Sequence, residues 1–262
     1  MMEKSDLDSL REAVILLENP TWIATVTNVI GMPLEWAVKK LPPTANEIIT
    51  SAATKALELA LRGAILTLKK SSSNFSNNGW HKLAAVLTGG IGGFFGLYAL
   101  AAELPISTII MLRSIADIAR NQGENLNEVS SQLACLEVFA LGGPHSSVEK
   151  SGTGYYAVRV ALAKAVTEAA EYIMERGLIE KSAPVLARLI LRIATRFEVV
   201  VAEKVAAEAV PIIGAVGGAG INLLFIQHFQ SIAQGHFIIR NLENKYGLDE
   251  VKLQYADMVK NI

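Results

Sequence analysis

The stretch LAAVLTGGIGGFFGLYALAAELPISTIIMLRSIADIAR, residues 83–120, decides how the rest of the chain is read. Its first half carries Gly89, Gly90, Gly92, Gly93 and Gly96 among apolar residues, and no charge appears between Leu83 and Ala102. Gly89 to Gly93 and Gly92 to Gly96 leave three-residue gaps, the spacing that lets a facing backbone approach closely. Each glycine weakens an isolated helix by about 1 kcal/mol, so neighbouring helices or lipid must compensate. The run reaches the roughly 20 residues of a spanning helix. Glu103-Leu104-Pro105 is expected to divide it from an amphipathic helix with Ile106, Ile110 and Ile118 on or near the apolar side.

A second segment repeats the design. AVPIIGAVGGAGINLLFIQHFQSIAQG, residues 209–235, carries Gly214, Gly217, Gly218 and Gly220, and its only titratable side chain is His228. The pair of segments predicts an all-α, glycine-rich bundle with two close-packed apolar helical hairpins, soluble or membrane-associated. Helical spacing recurs in residues 6–17, 44–68, 155–176, from Pro184 onward, and up to Gly247, with a terminal helix beyond. No sustained alternation calls for a sheet. The polar tract KKSSSNFSNNG, residues 69–79, reads as a linker between an N-terminal helical region (1–70) and a helical core (80–262), within one integrated domain.

Composition narrows the function classes. The 262 residues are 51% hydrophobic and 19% charged, and mean hydropathy is +0.34, high for a water-soluble globule. Twenty-four basic and 25 acidic residues give a net charge of −1 and no general attraction for nucleic acid. Cys135 is the only cysteine, which excludes an intramolecular disulfide and a four-thiolate zinc site. Glu3, Asp6 and Asp8 stand where a secretory signal needs basic residues, so export is not expected and the cytosol or the cytoplasmic membrane surface is. Trp22 and Trp36 read as core contacts rather than interfacial anchors.

Chemical motifs are sparse. There is no phosphate loop, no His-Glu-x-x-His and no Gly-x-Ser-x-Gly. Glu103, between apolar blocks, needs water or a partner. Arg113 and Asp117 are spaced to pair, with Arg120 following and Glu137 able to join a polar network. His228 and His236 are eight positions apart, about 12 Å along a straight helix, too far for a compact metal pair on their own. His145 with Ser146 and Ser147 lacks a demonstrable orienting carboxylate. Arg188, Arg192 and Arg196 fall at four-residue intervals along one helix flank. They suit phosphate or anionic headgroups, or else pairing with acids such as Glu198 and Glu203.

The strings ELPISTIIMLRSIADIARNQGE, LACLEVFALGG, GYYAVR, VPIIGAVGGAGIN and FQSIAQGHFIIRNLENKYG together resemble the bacterial EcsC family over approximately residues 89–247. The family takes its name from proteins associated with an ABC transport operon. The resemblance implies a bacterial origin and a role at the cytoplasmic membrane, and supplies no agreed catalytic set. The family-like polar positions are Glu103, Arg113, Asp117, Arg120, Glu137, Asn222, His228, His236 and Arg240. The leading expectation is a membrane-associated accessory or interaction protein meeting anionic lipids or a membrane complex, with self-association open and no cofactor indicated. The alternatives are a lipid-related hydrolase or metal-dependent enzyme using Glu103, His228 and His236, and a soluble structural module.

Overall fold

The computed structural model describes residues 2–18, 22–68, 96–143, 154–177, 183–210 and 218–261. Among them lie ten helices: α1 (Lys4–Glu18), α2 (Trp22–Ile30), α3 (Leu34–Lys39), α4 (Ala45–Thr67), α5 (Gly96–Asn121), α6 (Val129–Leu141), α7 (Gly154–Arg176), α8 (Pro184–Ala209), α9 (Gly218–Tyr246) and α10 (Leu248–Val259). No strand occurs among the described residues. The linker 69–79, the first four glycines of the 83–102 run, Gly214, Gly217 and His145 lie outside them.

The bundle is built around α6. Every residue from Ser131 to Leu141 is buried, so this helix is apolar all round and must be enclosed rather than surface-mounted. The sequence explains why: LACLEVFAL carries a single charge, Glu137. Helices α4, α5, α7, α8 and α9 all touch it. An aromatic cluster fills the space between α6, α8 and α9, with Phe139 5.1 Å from Phe197 and 5.4 Å from Phe229, ring centre to ring centre.

Helix α5 runs without interruption through Pro105, which corrects the expected division there. Proline removes one backbone hydrogen bond and crowds the preceding turn, at about 3 kcal/mol or more. Extensive packing of α5 on α4 offsets that cost, with Leu104, Met111, Leu112, Ile115 and Ala119 buried. The buried stripe is rotated from the one read in the sequence: Ile110 and Ile118 lie against the core, whereas Ile106 is 45% exposed.

Three glycines among the described residues carry close approaches, one of them Gly143, where a Cβ would sit 3.0 Å from the Arg196 carbonyl oxygen. A Cβ on Gly235 of α9 would sit 2.8 Å from Leu17 Cγ and 3.2 Å from the Ala13 carbonyl oxygen, so α1 rests on bare backbone there. A Cβ on Gly142 would meet the Phe229 ring at 2.5 Å. From Gly218 on, the second uncharged run forms the first half of α9, and Ile221, Phe225, Ile226, Phe229, Ile232 and Ala233 are buried in the bundle.

No single helix among the described residues is long and apolar enough to cross a membrane. Helices α1 and α2 pass that test only as a pair, bent by 47°.

Candidate functional site

Helix α9 presents His236, Arg240 and Glu243 at i, i+4 and i+7, one face of the helix. Helix α7 answers with Tyr155, Tyr156 and Arg159, and α6 with Glu137. Together these side chains form a polar layer inside the bundle. The Arg159 guanidinium donates to Glu243 Oε1 at 2.6 Å, and Tyr156 OH donates to the same oxygen at 3.0 Å. Arg159 also donates to Tyr155 OH at 3.4 Å, and Tyr155 OH lies 2.9 Å from His236 Nδ1.

Those contacts assign the histidine tautomer. Arg159 can only donate, so it occupies a lone pair of the Tyr155 oxygen and leaves the phenol proton for His236 Nδ1. Nε2 then carries the ring proton. It is fully buried, has no hydrogen-bond partner, and stands 3.9 Å from Glu137 Oε2, too far for a direct bond.

Electrostatics follow from burial. Burial holds His236 well below the ordinary histidine value, with Arg159 and Arg240 adding to the effect, so the ring is neutral. Burial pushes Glu137 up to about 7, against the pull of the two arginines. Burial likewise raises Tyr155, which keeps its proton. Arg240 makes a bidentate pair with Glu124, at 2.6 and 3.2 Å, and Ser131 donates to the same carboxylate. Burial works against ionisation of Glu124, but the bonds from Arg240 and Ser131 prevail and its pKa is lowered. The chemistry available is that of a neutral imidazole, a carboxyl group that burial makes easier to protonate, and fixed guanidiniums. It can hold a proton at Glu137, and it ties α6, α7 and α9 together.

Of the residues singled out in the sequence, Glu137, His236 and Arg240 therefore meet in one layer. His228 is elsewhere: its Nε2 lies 2.8 Å from the Gly142 carbonyl, its ring is near Trp22 and Phe229, and burial lowers its pKa to about 4. Glu103 has its partner in Lys204, at 3.1 Å, and Lys204 also binds Glu208 at 2.9 Å while itself buried. Asp117 forms its ion pair with Arg120 at 2.5 Å, not with Arg113 as the spacing suggested. Asn222 is buried. No group of three or more histidine, cysteine, aspartate or glutamate side chains placed to hold a metal ion occurs among the described residues.

The arginine ladder on α8 is engaged with protein. Arg188 binds Glu168 at 3.2 Å, Arg192 donates to the Ala161 carbonyl at 2.6 Å, and Arg196 donates to the Ala140 and Gly143 carbonyls at 2.9 and 3.5 Å. The acids offered as their partners are used differently. Glu198 accepts from Thr50, and Glu203 accepts from the Trp22 indole at 2.9 Å.

Sequence reading missed Tyr155, Arg159, Glu243 and Glu124. The first two share a face at i, i+4 and the third completes the face of His236, a signal that becomes legible only once α7 and α9 are known to be neighbours. The two tryptophans also part company. Trp22 is buried as expected, whereas Trp36 is 63% exposed, which corrects its assignment to the core.

The sequence matches the family model described as the EcsC protein family over residues 20–242 of the 262. No curated protein and no solved structure matches the chain.

Proposed function

The chain belongs to the EcsC protein family, and we propose that it works as an accessory or interaction module that meets anionic membrane lipid through α3. The observation that carries this reading is Trp36. A large indole 63% open to water is costly to display, and the water–lipid boundary is where such a ring is favoured. Lys39 and Lys40 are exposed within one turn of it, on a short helix flanked by Pro33 and by Pro42-Pro43. Lysine stems lie along apolar surface while their heads reach phosphate, and each contributes about 1 kcal/mol near an anionic surface.

The arginine ladder is the weaker place for such contact, because its guanidiniums already hold α7 and the end of α6. The glycine-rich run 83–102 remains the segment best suited by composition to close helix packing or to lipid.

Co-sedimentation with phosphatidylglycerol and phosphatidylcholine vesicles tests the reading. The protein is expected to bind the anionic vesicles. Trp36→Ser, and Lys39→Ala combined with Lys40→Ala, should each reduce binding, the double variant by about thirtyfold, while the melting temperature stays put. Unchanged vesicle binding by both variants would refute α3 as the contact, and no binding by the parent protein would leave the structural-module reading.

A further inference from the structure

A cavity of about 550 Å³ opens between α2, α3, α4 and α8, distinct from the His236 layer. Its walls are apolar, from Ile23, Leu34, Val38, Ile49, Val199 and Ala202. Its charged groups are unbalanced: Glu35, Glu198 and Glu203 line it against the single cation Lys39. None of these four joins an ion pair among the described residues. Glu198 has the Thr50 hydroxyl at 2.8 Å and Glu203 the Trp22 indole N–H at 2.9 Å, both neutral donors. A carboxylate has about four lone-pair positions, so each retains capacity for a charged donor.

An apolar pocket with a few convergent polar groups is the ordinary form of a small-molecule site. Charge complementarity selects the ligand here. A fatty carboxylate or a phosphate would face like charge at Glu35 and Glu198, whereas an ammonium complements both and favours the ionised form of Glu203. The geometry points to a binding site for an amphiphilic amine, its ammonium head among Glu35, Glu198 and Glu203 and its apolar chain along Leu34, Val38 and Val199. The head could belong to an aminolipid or to a free alkylamine; the recognised chemistry is the same. The site stands whether or not α3 contacts a membrane.

Proton linkage gives the site a signature. Burial raises Glu203 to about 7, resisted by the Trp22 hydrogen bond and reinforced by Glu35. The charged groups facing it are Glu35 and Lys39 from α3 and Glu198 from its own helix, while α2 and α4 contribute only the uncharged Trp22, Asn46 and Thr50. A bound ammonium favours the ionised carboxylate, so binding expels a proton and tightens as pH rises from 6 to 8.

Calorimetric titration of the full chain with octylamine, below its micellar range, tests the proposal, with octanoate as the control. The expected result is one saturable octylamine site that tightens with pH, and no octanoate binding. Glu203→Gln should weaken octylamine by about tenfold, the loss of one charge-assisted bond, and flatten the pH dependence. Ala202→Phe, which projects a ring into the cavity, should weaken binding. If Glu203→Gln fails to fold by circular dichroism, Glu198→Gln takes its place. Lysophosphatidylethanolamine that competes with octylamine identifies a lipid head, and octylamine binding without that competition identifies a free amine; either upholds the site. Equal binding of octanoate and octylamine, or undiminished binding to a folded Ala202→Phe variant, overturns it.

Discussion

At the scale of single residues, the bundle contains ionisable groups that burial drives in opposite directions. Glu137 has its folded pKa raised from 4.5 to about 7. Between those values the folded state holds a proton that the unfolded state has lost, so stability falls as pH rises from about 4.5 to 7 and stays lowered above. His228 and His236 are depressed, to about 4 for the first. Unfolded histidine protonates near 6.5 while the buried rings do not, so their contribution is lost as pH falls below 6.5. Glu137→Gln keeps the shape and removes the first effect. Relative to the parent, it is expected to gain stability between pH 5 and pH 8, by about 1–3 kcal/mol, read from urea midpoints at each pH. Parallel midpoint curves for the two proteins would show that Glu137 ionises in the fold without penalty. In the sequence, Glu137 is legible as a possible member of a polar network and His236 as a histidine eight positions from His228. Their neighbours were silent, because Tyr155 and Arg159 look like ordinary helix-surface residues until α7 is placed beside α9.

The helices themselves were largely legible. The interval of apolar residues located α1, α4 and α7 to within about two residues of their observed ends, Pro184 stands at the first helical position of α8, and Gly247 follows α9. The break at Pro105 was not legible as continuous helix, because proline's local cost is visible in sequence and the packing that offsets it is not. Partner choice was also hidden: three arginines at four-residue spacing look the same facing phosphate or facing the carbonyls of α6 and α7. Small residues do let backbones meet, and among the described residues the clearest cases are Gly143, against the Arg196 carbonyl just after α6, and Gly235 of α9, against the Ala13 carbonyl. Gly235→Ala would force Leu17 or the α1 backbone to retreat, since both lie inside normal Cβ contact distance. Overpacking of this kind costs about 1–3 kcal/mol, and the melting temperature should fall by several degrees. Leu17→Ala combined with Gly235→Ala should be less destabilised than the sum of the two single variants, because truncating the buried Leu17 relieves the clash. A melting temperature unchanged in Gly235→Ala would mean that α1 does not rest on α9 there.

For the whole molecule, the decisive question is whether the bundle would gain by giving a helix to the bilayer. The α1–α2 pair is the sole candidate among the described residues, and its apolar face is already spent: Leu10, Ala13, Val14, Leu17, Trp22, Val26 and Ile30 are buried. Lipid would return the same apolar burial and no more. Against that, α1 would forfeit the Tyr255–Glu18 bond at 2.6 Å and the Asp6 bonds to Lys245 and Tyr246 at 2.7 and 2.6 Å. It would also carry Glu18 into hydrocarbon, where an ionisable side chain is expensive. The balance keeps α1 and α2 in the bundle, so among the described residues the membrane contact to test is the one proposed for α3, made of one indole and two lysines. Such contact is salt-sensitive, because the lysine contribution is screened within about 8–10 Å at ordinary ionic strength. Native membranes washed with about 0.5 M salt, where the screening length falls to about 4 Å, should release most of the protein, and alkaline carbonate the remainder. Retention through both washes would place a segment outside the described residues in the bilayer, the uncharged run 83–102 before any other, and would make α3 a secondary contact.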